Sequence, residues 1–173
     1  RRWCATMTEP LLSIRDLCVE YVTARGPVRA VEHVSFDVGP GEILGIAGES
    51  GSGKSTLAQA ILRILPSPAV ISGGQALLEG RDLLSADEAE LRELRWKRMA
   101  MVFQSAMDAL NPVLTVGEQI VDTMLAHGAT SRSASRHRAG ELLEMVGMRA
   151  DRLGSYPHQL SGGMLQRAMI AMA

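Results

Sequence analysis

Cysteine is nearly absent. The 173 residues contain two, Cys4 and Cys18, with no C-x-x-C pair and no metal-ligand spacing around them, which argues against a disulfide framework or a zinc-held core and fits a reduced, cytosolic chain. Long apolar runs are missing too: none approaches the roughly 18 residues that cross a bilayer as a helix, so no membrane-spanning helix is expected. The opening RRWCATMTEP has two arginines but no hydrophobic region after them, so a secretory signal is not expected. Residues 1–8 are expected to form a disordered leader, with Met7 a better natural start than Arg1. Neither sign of charge dominates, since 18 Lys and Arg face 19 Asp and Glu for a net charge of −1. The arginines of 92–98 and 132–138 are interleaved with acids or serines, which is no footprint for nucleic acid. There is no internal repeat, low-complexity tract or sustained heptad. What remains is a chain 46% hydrophobic and 21% charged, enough to bury the core of one ordinary α/β domain.

Two segments, 11–22 and 28–38, are rich in β-branched and apolar residues and are separated by a Gly26-Pro27 turn signal. In the second, Val34, Phe36 and Val38 alternate with Ser35 and Asp37, the pattern of half-buried antiparallel strands. The run Ile43 to Ala47, bounded by glycines, reads as a fully buried strand parallel to its neighbours. From Lys54 to Leu65 the apolar residues Leu57, Ile61, Ile64 and Leu65 repeat with helical spacing until Pro66. Strand and turn follow in GGQALLEGRDL, SADE at 85–88 reads as a capping box opening a helix to about Met99, and MAMVFQ reads as another buried strand ending at Gln104. Beyond it, TVGE at 115–118 is a second capping box for a helix reaching His127, with Gly128 as its C-cap. A further helix spans 133–146, with Ala139, Leu142, Leu143 and Val146 on one face. Residues 106–158 therefore read as an all-helical lobe.

GESGSGKST, Gly48 to Thr56, fits G-x-x-x-x-G-K-[ST] between a predicted strand and a predicted helix, the context that gives the pattern meaning. Gly48, Gly51 and Gly53 let the backbone wrap a polyphosphate with its N–H groups pointing inward, and the following helix adds its positive end. Lys54 supplies a point charge to the β- and γ-phosphates, and the Ser55 hydroxyl is placed to ligate Mg²⁺. Thr56 is expected near the α-phosphate, while Glu49, Ser50 and Ser52 are expected to act through their backbone. The predicted ligand is a nucleoside triphosphate.

Three motifs in order, GESGSGKST, VFQ at 102–104 and LSGGMLQR at 160–167, resemble the ATP-binding-cassette (ABC) ATPases. The resemblance covers residues 11 to 173. Met164 stands where the family usually has Gln, a departure that its peptide-importer branch commonly shows. FQSAMDALNPVLTVGEQI at 103–120 and YPHQLSGGM are similar to the dipeptide, oligopeptide and nickel importers, although Ser105-Ala106 replaces the usual Asp-Pro.

The resemblance implies an α/β phosphate-loop (RecA-like) core with an N-terminal antiparallel β-subdomain over 9–105. An inserted helical subdomain over 106–173 would end in the signature helix, with the C-terminal part of the core missing. It implies ATP and Mg²⁺ as cofactors, Tyr21 stacked on adenine, and Gln104 sensing Mg²⁺ and the attacking water. Ser161, Gly162 and Gly163 would face the nucleotide of a second ATP-binding subunit, identical or homologous. The helical lobe would meet transmembrane permease subunits, so the protein would sit at the inner face of the cell membrane and couple ATP hydrolysis to solute import. Nucleic acid is not an expected partner.

The Asp-Glu-ending apolar strand that carries the family's catalytic carboxylates is not in the sequence, so this chain alone is expected to lack ATPase activity. The alternatives are a non-catalytic ATP-binding fragment and a DNA-repair type of ABC ATPase. The latter usually inserts long coiled coils or zinc sites that are not seen here.

Overall fold

The computed structural model describes residues 9–103 and 109–173. Two compact units divide the chain, one ending at Leu91 and the other running Arg92–Ala173.

The first unit is built on an antiparallel sheet. Strand β1 (Leu12–Thr23) pairs with β2 (Gly26–Val38) through a two-residue turn at Ala24 and Arg25, with Thr23 opposite Gly26 and Leu12 opposite Val38. On its other side β1 pairs with β3 (Ala69–Leu78), and the short β4 (Arg81–Asp82) returns against the end of β3, giving the order β2-β1-β3-β4. Ile14 and Leu17 are both fully buried although three residues apart. Side chains alternate with period two, so an unbroken strand would point one of them outward. A bulge between them resolves the conflict: the register shifts there, and Asp16 takes φ 52°. Val19, Ala76 and Leu78 complete the buried side.

Helix α1 (Lys54–Ile61) is shorter than its apolar spacing predicts. The chain turns at Arg63, which has φ 55°, and the Arg63 guanidinium donates to the carbonyls of Leu83, Leu84 and Ala86. That clamp also displaces the next helix start. Helix α2 (Glu88–Leu94) is opened by Asp87 and Glu90, not by Ser85 and Glu88: Asp87 N–H donates to Glu90 Oε2 at 3.0 Å and Glu90 N–H to Asp87 Oδ1 at 2.9 Å. It stops at Leu94 instead of Met99, because Trp96 takes φ 67°, outside the helical region.

The predicted strands at 43–47 and 99–104 do not form in the described residues. A strand exists through hydrogen bonds to a neighbour, and among the described residues no strand lies beside either run. Ile43, expected in the core, is 95% exposed.

The second unit is helical. Its helices are α3 (Val116–Ala126), α4 (Arg132–Met145) and α5 (Gly162–Met172), with short 3-10 turns at Ala150–Gly154 and Pro157–Gln159. Residues at helical spacing meet in its core: Val116 with Ile120, Ala139 with Leu143, and Leu165 with Ala168 and Met169. Thr115 caps α3 in the predicted box, and Ser131 caps α4 by accepting from Ala134 N–H.

Candidate phosphate-binding site

The loop Gly48–Gly53 leads directly into α1, and its path is fixed by what lies behind it. Gly53 is the N-cap, with φ 87° and ψ 1°. A Cβ at this position would lie 2.2 Å from the Ala30 carbonyl oxygen of β2, so glycine is demanded by both conformation and space. No side chain caps α1, and no acid sits in its first turn. Its leading N–H groups, which have no partner within a helix, keep their positive end for an outside anion.

The Lys54 side chain folds back over the loop. Its Nζ donates to Gly48 O at 2.8 Å, to Glu49 O at 2.6 Å and to Ser52 Oγ at 3.1 Å. The ammonium is thus anchored on the same curve of backbone that would face a phosphate. Ser52 acts here through its hydroxyl, a role that its place in the pattern does not signal because it depends on the path of the loop. Ser55 is exposed, whereas Thr56 is buried. The structure brings Thr56 and Tyr21 together, with Thr56 Oγ1 3.3 Å from Tyr21 Oη. A cavity of about 550 Å³ adjoins the loop, lined by Gly48, Ser52, Gly53 and Lys54 at one side and by Val34, Phe36, Leu44 and Ile46 at the other. Lys54, Ser55 and an uncapped, acid-free helix start form a set of donors with one added charge, which suits a polyphosphate; the Ser55 hydroxyl suits a Mg²⁺ that keeps most of its other ligands from water and phosphate.

Ser161 is the N-cap of α5, and its side chain makes no capping bond. Gly162 and Gly163 are exposed, and a Cβ on either would meet nothing within 4 Å. The helix is held from its other side by Leu165, Ala168 and Met169. Nothing in the packing of the described residues explains the glycines. Gln104 lies outside the described residues. Among the described residues no group of three His, Cys, Asp or Glu is placed to hold a metal, and no helix is long and apolar enough to cross a membrane.

Comparison with known proteins places this geometry in a family. The pattern of the ABC transporter family matches residues 31–173. The chain is 48% identical over 167 residues to the probable peptide ABC transporter ATP-binding protein y4tR of Sinorhizobium fredii, covering 94% of this chain and 50% of that protein. To the dipeptide transport ATP-binding protein DppD of Escherichia coli it is 44% identical over 165 residues, covering 94% and 50%. To the peptidoglycan transport ATP-binding protein YejF of Agrobacterium fabrum it is 47% identical over 171 residues, covering 97% and 31%. The chain therefore spans about half or less of the length of these curated relatives. Among solved structures, the dimeric bacterial ABC transporter cassette MJ0796 superposes with a TM-score of 0.81 at 29% identity, covering 93% of this chain and 68% of that one. The dimeric post-hydrolysis state of MJ0796 bound to ADP and Pi gives 0.78 at 28% identity, with the same coverage. The expected α/β phosphate-loop fold is borne out by these cassettes, and the chain belongs to the ABC transporter family.

Proposed function

We propose that this chain is the ATP-binding part of a subunit that energises import of peptides or a related solute. The observation that carries the proposal is the phosphate loop itself: Lys54 Nζ gathered onto Gly48 O, Glu49 O and Ser52 Oγ at the mouth of an uncapped helix. Relatives named for peptide and dipeptide transport support the choice of solute.

In this reading the backbone of Gly48 to Thr56 wraps the phosphates, Lys54 neutralises the β- and γ-phosphates, and Ser55 holds Mg²⁺. Bound ATP supplies a phosphoanhydride whose cleavage releases the free energy for transport. Tyr21 offers its ring to adenine while its hydroxyl stays tied to Thr56, and Gln104 senses Mg²⁺ and water. For function we divide the chain into a nucleotide-binding part, 9–105, and a helical part, 106–173. Ser161, Gly162 and Gly163 contact the nucleotide held by a second ATP-binding subunit. Their open surroundings support this role, as does the dimeric state of the MJ0796 cassette. The helical part meets permease subunits, which places the protein at the cytoplasmic face of the membrane.

Equilibrium titration of the chain with a fluorescent ATP analogue, with and without Mg²⁺, tests the proposal. Lys54→Ala is expected to weaken binding at least about tenfold, as charge-assisted bonds to phosphate are lost. Equal affinity in the two proteins would overturn it.

A further inference from the structure

Away from the phosphate loop, the bulge in β1 brings together a nucleophile, an imidazole and a carboxylate. The register of β1 shifts against β2 between Ile14 and Leu17, and against β3 between Arg15 and Cys18. Asp16 and His33 have φ 52° and 51°, conformations that these residue types accept more readily than most. Asp16, Cys18 and His33 then line one cavity of about 270 Å³, together with Glu20, Arg29 and Glu32.

The contacts have a direction. His33 Nδ1 is 2.7 Å from Asp16 Oδ1; a carboxylate only accepts, so Nδ1 carries the hydrogen. The same ring edge faces Cys18 Sγ at 3.8 Å, and His33 backbone N–H donates to Sγ at 3.3 Å. Two N–H groups of one residue therefore point toward a sulfur that is half-buried and not sealed off. The phosphate loop uses none of these three residues.

We propose that Cys18 is an oxidative modification site, its thiol converted to a sulfenic acid by small neutral hydroperoxides, with His33 as the positioning residue and Asp16 fixing the ring. Sγ attacks one peroxide oxygen: the S–O bond forms as the O–O bond breaks, sulfur gives up two electrons, and the peroxide is reduced. The thiol proton ends on the leaving oxygen, which departs as water when the oxidant is hydrogen peroxide. The two N–H groups stabilise the negative charge that develops on sulfur as its proton leaves. The lining selects the oxidant. Asp16, Glu20 and Glu32 place three carboxylates around the cavity against one guanidinium, and Arg29 is already paired with Glu20 at 3.7 Å and with Glu32. Such a field repels a polyanionic disulfide and leaves a neutral peroxide unopposed.

The test uses the full chain carrying Cys4→Ser, so that Cys18 is its one thiol, exposed to hydrogen peroxide with dimedone and followed by intact mass. The dimedone adduct is expected to form about tenfold faster than in the same chain with His33→Asn, the factor carried by one lost donor to a charged atom. Asparagine also tolerates positive φ, so unchanged circular dichroism and melting temperature would assign the loss to chemistry and not to unfolding. Asp16→Asn should give a smaller loss. Equal rates in the parent, in His33→Asn and in the urea-unfolded chain would overturn the proposal. So would a mixed disulfide with oxidised glutathione that forms faster than the sulfenic acid.

Discussion

At the scale of single residues, two glycines separate structural need from functional need. Gly53 is held at φ 87° with the Ala30 oxygen where a Cβ would stand. Gly53→Ala is expected to cost at least about 1–3 kcal/mol, the usual range for a strained backbone position, with loss of nucleotide binding; urea unfolding and ATP titration check the two effects separately. Gly163 has nothing near it. Gly163→Ala is expected to leave stability unchanged or raise it by up to about 1 kcal/mol, while ATP-dependent dimerisation weakens, which analytical ultracentrifugation would detect. The roles proposed for Lys54 and Ser55 were legible in the sequence because the motif is contiguous. The Ser52 hydroxyl and the Ala30 contact were not, because they depend on how the loop curls and on which strand lies behind it.

At the scale of elements, caps decide more than periodicity. The Thr115–Glu118 box forms as the sequence predicts: Thr115 N–H and Oγ1 donate to Glu118 Oε2 at 2.8 and 2.7 Å, and Glu118 N–H donates to Thr115 Oγ1 at 3.3 Å. Thr115→Ala should lower stability by about 1 kcal/mol. The Glu118 carboxylate is held below its ordinary range, first by the Thr115 hydroxyl and then by the Thr115 backbone N–H. A depressed folded value means that this stabilisation is present above the ordinary carboxylate pKa, about 4.3, and is lost as pH falls through the lowered value. The urea midpoint should therefore fall on acidification more in the parent than in Glu118→Gln. SADE misled because Ser85 and Asp87 can each cap and each is followed by an acid three residues on; the Arg63 clamp on Leu83, Leu84 and Ala86 settles the choice. The antiparallel strands were legible from alternation. The run 43–47 was not, because apolar character alone supplies no hydrogen-bonding neighbour.

At the scale of the whole molecule, the phosphate loop lies in one compact unit and the signature helix in the other. The first unit presents Ile43 at 95% exposure, with Leu44 and Ile46 at 41% and 50%, a local apolar surface that favours self-association. Ile43→Lys is expected to shift light scattering toward monomer at high concentration without changing the affinity for ATP.

The open amide row at the start of α5 has one more consequence, which belongs to mass action. If each molecule lends its glycines to a nucleotide carried by another, protein behaves as a co-ligand of ATP. The apparent dissociation constant should then fall as the protein itself is concentrated, and a dilution series should reveal a binding curve whose midpoint moves.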